Sequence, residues 1–156
     1  MKLNLDKLDF QIITAMMDDA QISYADLGKK LFVSGGTIHV RMKKLQEHGI
    51  VKGTKLHVDL KALGYDITAF VGIYLEKSSL YDAVAKELQK IPEIVRLNYT
   101  TGNYSMFIEI VSKDMNQLRF VLHDTLQKIK GIERTETFIS LEESFHRNVQ
   151  VHTAIE

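Results

Sequence analysis

Nine consecutive residues without a charge, ITAFVGIYL at 67–75, alternate with period two. Ile67, Ala69, Val71, Ile73 and Leu75 point to one side, and Phe70, Gly72 and Tyr74 to the other. Both faces of this strand are apolar. Helices on one side of a sheet cover only one face, so the second needs another layer, most simply the same sheet from a second chain. The flanking sequence supplies the helical layer. Residues 79–91 carry Leu80, Val84, Leu88 and Ile91 at helical spacing until Pro92 stops them. Strands are predicted at 95–101 and 104–112, joined by Gly102-Asn103 as a two-residue hairpin. Asp114 opens a second helix with Leu118, Val121, Leu122, Thr125 and Ile129 inward. Gly131 ends it, and 132–141 is the closing strand. LQKIPEIVR from Leu88 returns as LQKIKGIER from Leu126. Two such halves give the split, ferredoxin-like βαββαβ arrangement.

The first third has a different texture. Leu5, Leu8, Ile12, Ala15 and Met16 follow helical spacing, and Ser23 with Asp26 makes a capping-box-like start to a short helix at 24–31. Gly28 inside that helix costs up to about 1 kcal/mol relative to alanine, and a close helix crossing is the usual reason to keep it. Residues 34–49, SGGTIHVRMKKLQEHG, form a third helix with Ser34 as N-cap and Gly49 as stop. Ile38, Met42 and Leu45 make a core stripe. Gly36, His39, Val40, Lys43 and Lys44 lie roughly opposite. Three helices with a tight turn before the last make a helix-turn-helix. Residues 50–58 read as short extended pieces, a wing or a linking strand. The tail from 142 is polar, with Val149 and Val151 alternating as an extra edge strand or an arm.

The formal net charge is zero, but its distribution is not even. Between Lys29 and Lys55 seven basic residues face one acid, Glu47. That positive window surrounds the third helix and suits a groove lined with phosphates. There are no cysteines, which excludes disulfides, thiolate metal sites and a cysteine nucleophile. No apolar run reaches the roughly 18 to 20 residues of a membrane span, and the acidic start is unlike a signal peptide. The expected location is the cytoplasm, with no membrane partner.

LDKLDFQIITAMMDDA, YADLGKKLFVSGGTIHVRMKKLQEHGIVKG and the hairpin YTTGNYSMF followed by TETFI together resemble the Lrp/AsnC, or feast/famine, transcription regulators over nearly the whole chain. TIHVR and YTTGNYS are most similar to the asparagine-responsive type. The resemblance implies an α+β chain. A helix-turn-helix domain with a linking strand, residues 1–59, precedes a ferredoxin-like effector-binding and oligomerisation domain, 60–156. It also implies dimers through the sheets, assembly to octamers, and an amino-acid effector held between dimers near the TTG hairpin. Gly35 stands where the family usually has proline, and Gln21 where arginine is common.

The candidate DNA-binding set is Ser34, Gly36, Thr37, His39, Val40, Arg41, Lys43 and Lys44. Lysines suit phosphates, and His39 suits a base edge in double-stranded DNA. Arg41, on the flank of the apolar stripe, fits a structural ion pair as well as a DNA contact. Under the resemblance, Thr100, Thr101, Gly102, Asn103, Tyr104 and Ser105 become the leading effector segment. Gln127, Thr135 and Thr137 join it, with Glu136 to balance an ammonium. Two competing readings are an amino-acid-sensing module without DNA binding and a small enzyme on the same fold. No phosphate-cradling glycine loop, HExxH or GxSxG motif supports the enzyme, and the six histidines are scattered, so no catalytic residue, metal or cofactor is expected.

Overall fold

A computed structural model describes residues 4–149 and 151. His152, one of the six histidines, lies outside the described residues. The chain forms two compact units, one of the residues up to His57 with the tail from Phe145, the other Val58–Ser144. Among the described residues no helix is long and apolar enough to cross a membrane.

In the helical unit, α1 (Lys7–Asp18) begins at a reciprocal cap. The Asp9 amide donates to Asp6 Oδ1 at 3.0 Å and the Asp6 amide to Asp9 Oδ2 at 3.1 Å. α2 (Tyr24–Lys30) starts at Ser23, whose Oγ accepts from the Asp26 amide at 3.0 Å. α3 (Gly35–Glu47) starts at Ser34, whose Oγ accepts from the Thr37 amide at 3.0 Å. It stops as expected, with Gly49 at φ +69° where a left-handed residue closes the helix. Ile12, Ala15, Leu27, Ile38, Met42 and Leu45 bury together. The reason for Gly28 is the crossing the sequence predicts: a Cβ there would lie 2.8 Å from the Val33 carbonyl oxygen and 2.9 Å from the Gly35 nitrogen. A Cβ on Gly35 would lie 3.2 Å from Ala25 Cα, so the first turn of α3 sits directly against α2.

Among the described residues the tail is an arm on α1 and forms no strand. Asn148 Nδ2 donates to the Met17 carbonyl at 3.4 Å, and Thr14 Oγ1 donates to the Val151 carbonyl at 3.2 Å. Met17 is in the last turn of α1, where carbonyls lack helical partners and a side-chain amide can serve them. Residues 145–149 therefore group with the helices, whereas the division at 59/60 put them with the sheet. Residues 52–59 pair with no strand among the described residues.

In the second unit the sheet comprises β1 (Ile67–Leu75), β2 (Ile94–Tyr99), β3 (Met106–Ser112) and β4 (Ile132–Ile139), in the order β2-β3-β1-β4 with antiparallel neighbours. This is the predicted βαββαβ plan. One face packs Ala69, Val71, Ile73, Met106, Ile108 and Ile110 against Val84 and Leu88 of α4 (Tyr81–Leu88) and Leu118 of α5 (Met115–Arg119). Two expectations change. The hairpin is longer than two residues: β2 ends at Tyr99, β3 begins at Met106, and the Thr100 amide donates to the Ser105 carbonyl at 3.2 Å. Beyond α5 the helix widens into a π-helical stretch, Phe120–Thr125, and tightens at Leu126–Lys128. The wide turn rotates the following residues by about one position, so Leu126 is fully buried while Thr125 is only half-buried.

Candidate nucleic-acid and effector sites

α3 divides as its periodicity requires. Ile38, Met42 and Leu45 face the core, while Gly36, His39, Val40, Lys43 and Lys44 are exposed and Thr37 is half-buried. The two hydroxyls at its start are already engaged, Ser34 Oγ lying 2.9 Å from Thr37 Oγ1. The His39 ring lies 5.9 Å from that of Tyr24 on α2, which restricts the imidazole's orientation. Lys43 reaches Glu47 only at 3.9 Å, with both side chains mostly in solvent, a pairing of little strength. The α3 amides near Ser34, with these lysines, give the helix face a positive character.

Arg41 stands apart from the rest of the set. Its Nη1 donates to Asp6 Oδ1 and Oδ2 at 2.7 and 2.6 Å and to Asp9 Oδ1 at 2.8 Å. Asp9 is only 5% exposed, so the guanidinium balances a buried carboxylate and pins α3 to the start of α1. Its hydrogen bonds hold the Asp6 carboxyl below the usual range, with the Asp9 amide adding to the effect. Sequence reading missed both partners. The D-x-x-D spacing that makes the α1 cap was the available signal.

The effector candidates divide between the sheet's two faces. Residues directly opposite one another in a ladder share a face. Glu136 pairs with Gly72, on the face of Phe70 and Tyr74, whereas Thr135 and Thr137 pair with Ile73 and Val71, on the helix-covered face. On the open face Glu136 is the centre of a network. Tyr104 Oη donates to its Oε2 at 2.8 Å, Tyr74 Oη donates to its Oε1 at 3.1 Å, and Arg134 Nη1 lies 3.8 Å from Oε1. The two phenols, Tyr104 first, hold the Glu136 carboxyl below its ordinary value, and the same contact raises the Tyr104 hydroxyl. The Arg134 guanidinium lies 3.8 Å from the Tyr74 ring centroid, a cation–π contact. Tyr104 covers Gly72 so closely that a Cβ there would clash with its ring. Tyr74, Arg134 and Gly72 are not among the residues the sequence singles out for the site: alternation along β4 links Arg134 to Glu136, but Tyr74 and Gly72 join them only through the register of β1 with β4.

The hairpin itself is ordered by Thr100 Oγ1, which donates to the Tyr104 carbonyl at 2.8 Å, and by the Ser105 amide, which donates to the Ile73 carbonyl at 2.9 Å. Thr101, Gly102 and Asn103 at its tip are exposed, as is Gln127 in the last helical turn. The groove between α4 and β2, lined by Ala85, Leu88, Ile94, Val95 and Leu97, includes none of these residues.

An exposed basic reading helix on one unit and a polar hairpin beside an open aromatic sheet on the other agree with the comparisons. Residues 5–52 match a winged helix-turn-helix DNA-binding family, and residues 68–150 match the Lrp/AsnC ligand binding domain. The chain belongs to the Lrp/AsnC family. The regulatory protein AsnC of Haemophilus influenzae is 41% identical over 94% of this chain and 98% of its own length, and that of Escherichia coli 38% over 94% and 96%. The structure of E. coli AsnC superposes with a TM-score of 0.91 at 37% identity, covering 96% of this chain and all of that one. A Neisseria meningitidis transcriptional regulator in complex with L-Met shares the fold, with a TM-score of 0.87 at 22% identity over 92% of this chain and 94% of that one. As an Lrp/AsnC protein, the chain is a transcriptional regulator with a DNA-binding and a ligand-binding domain.

Proposed function

We propose that this regulator inserts α3 into the major groove of double-stranded DNA and that an amino acid bound near the 100–105 hairpin controls its assembly on that DNA. The supporting observation is the division of α3: one stripe is fully buried, while His39, Val40, Lys43 and Lys44 are left for an external partner. His39 and Val40 meet base edges, Val40 suiting a thymine methyl. Lys43 and Lys44 meet phosphates, with Ser34, Gly36 and Thr37 at the helix's positive end. Arg41 is the strut that holds this face in place. Residues 1–59 carry the reading function and 60–156 the sensing and assembly functions, with 145–149 and 151 returning to the reading head. The protein acts in the cytoplasm, where its DNA is.

The open sheet face pairs with a second copy, and dimers join to a higher form, an octamer being the first candidate. The effector sits where hairpins of neighbouring dimers meet, because the exposed tip Thr101-Gly102-Asn103 needs a second surface to enclose a ligand. Hydroxyls of Thr101 and Ser105 and the amides of the exposed tip serve a carboxylate, while Thr100, whose hydroxyl donates to the Tyr104 carbonyl, shapes the hairpin, with Tyr104 at its edge. Glu136 balances an ammonium from the open face and Gln127 offers a polar partner, while Thr135 and Thr137, on the other face of β4, do not join Glu136 in one pocket. Asparagine fits such a lining better than leucine, which wants a bare apolar wall. The Neisseria neighbour's complex with L-Met supports an amino acid as the ligand class.

A thermal-shift screen of the full chain against the twenty amino acids tests this reading. A ligand at 100 times its dissociation constant adds about 2.7 kcal/mol, so a true effector raises the melting temperature clearly. Asparagine should give the largest rise, and the same compound should alter both sedimentation and DNA mobility shifts. No response to any of the twenty would remove the amino-acid effector while leaving the DNA-binding assignment standing.

A further inference from the structure

Phe32 has a backbone conformation that glycine would adopt at less cost, at φ +57°, and it is the only non-glycine residue with positive φ among the described residues. Its side chain is 95% exposed. The left-handed region crowds the Cβ of a bulky residue, and such strain persists only where the surroundings enforce it. Here they do. The Val33 amide donates to the Gly28 carbonyl at 2.9 Å and the Phe32 amide to the Lys29 carbonyl at 3.3 Å. The glycine-mediated crossing of α2 and α3 leaves the turn no slack. The fold thus bears a strained aromatic residue and buries almost none of its ring in return.

The ring's position indicates what it gains from. Phe32 lies two residues before Ser34, the N-cap of the reading helix, and just after Lys29 and Lys30, both exposed in the last turn of α2. An apolar ring next to cations and a helix's positive end suits a partner that is anionic yet offers apolar surface. The deoxyribose and base edges of duplex DNA have that character.

We infer that Phe32 is a further DNA contact, packing its ring against the sugar and base edge beside the bases read by α3. The inference rests on the DNA-binding role of α3. It accounts for an aromatic residue at a glycine-favouring turn: the surrounding hydrogen bonds and helix crossing hold the strain in the free protein, and the ring gains burial only in the complex.

The test uses the full chain and a duplex that the wild type selects from a random-sequence pool. Phe32→Gly and Phe32→Asn suit the left-handed turn, while Phe32→Trp keeps an aromatic ring. The first two should melt at or above the wild-type temperature yet bind the selected duplex roughly tenfold more weakly, the equivalent of losing most of one buried aromatic contact. The slope of log K against log salt should stay unchanged, because no charge is lost. Phe32→Trp should bind within about twofold of wild type. Wild-type affinity in both the glycine and asparagine variants, with their folds intact, would overturn the contact. So would equal weakening in all three variants, which would point to the turn's geometry instead. If the wild type selected no duplex at all, the parent reading would fail and this inference with it.

Discussion

The helical unit and the sheet unit each place a carboxylate network beside a surface meant for something else, but they complete their own structure to different degrees. In the helical unit, Arg41 joins Asp6 and Asp9 so that α1 and α3 lock within one chain, and the face left outward is polar and basic. In the sheet unit, Glu136 gathers Tyr104, Tyr74 and Arg134 on a face that also carries Phe70, Phe107 and Phe138. Phe70 and Phe107 stack there at 6.2 Å, and Phe138 remains 48% exposed. One unit is finished and offers charge to a polyanion. The other has a second apolar face, and burying aromatic area there is worth far more than leaving it wet.

The sharpest way to break this contrast is a charge on each outward face. Phe107→Asp places a carboxylate beside the Phe70 and Tyr104 rings and should weaken the proposed pairing of two sheets by about 2–4 kcal/mol, the usual cost at a central aromatic anchor. Sedimentation at micromolar concentration should then show monomer. Val40→Asp, on the 66% exposed valine of α3, should leave the sedimentation profile unchanged while weakening DNA binding by repulsion from phosphate. Equal loss of assembly in both variants would mean that the two faces do not divide the work this way.

A smaller effect separates strut from reader within α3. Arg41→Gln leaves Asp9, 5% exposed, without its cation and should destabilise the helical unit by about 1–3 kcal/mol, measured by denaturant titration. The Lys43 neighbour offers no such anchor. The pH dependence gives the same test another form. The Asp6 carboxyl, held down chiefly by Arg41, has a folded pKa below its unfolded value. Its contribution is therefore present above the unfolded value of about 4 and is lost as pH falls through the lower folded value. Wild-type melting temperature should drop on acidification below about pH 4, and the Arg41→Gln variant should show a shallower drop. Identical acid profiles would release Arg41 from the strut role.

What could be read from the sequence follows from which interactions leave a periodic trace. The buried stripe Ile38, Met42 and Leu45 and the alternation of Ile67 to Leu75 each report one element packing on one core, so faces and fold followed. Thr125 was expected inward and Leu126 took the place, because a π-helical turn is chosen by tertiary packing and breaks the period from inside. The tail's arm was ambiguous for a related reason. Asn148 and Thr14 hold it through carbonyl groups that every residue has. On β4, neighbouring positions in the chain stood in for neighbours in space. Glu136 and the two threonines were grouped together, yet successive strand residues face opposite ways, and only the pairing with Gly72 shows which side the carboxylate takes. Arg41, on the edge of the stripe, could not be resolved until Asp6 and Asp9 were brought beside it.

The smallest expected effect is the finest test of the helical face. Lys43 is largely solvated and its contact with Glu47 is long, so Lys43→Ala should change stability by less than about 0.5 kcal/mol. If the lysine neutralises a phosphate, the variant should bind all sequences more weakly and lower the magnitude of the salt slope by about 0.9. His39→Ala should do the reverse, altering preference at one base position while keeping the slope. The two residues lie four apart on one helix, so a general loss of α3 geometry would move both readouts together. An unchanged slope for the lysine variant and unchanged preference for the histidine variant would take this face off the DNA, even with the strut, the core stripe and the cap at Ser34 all intact.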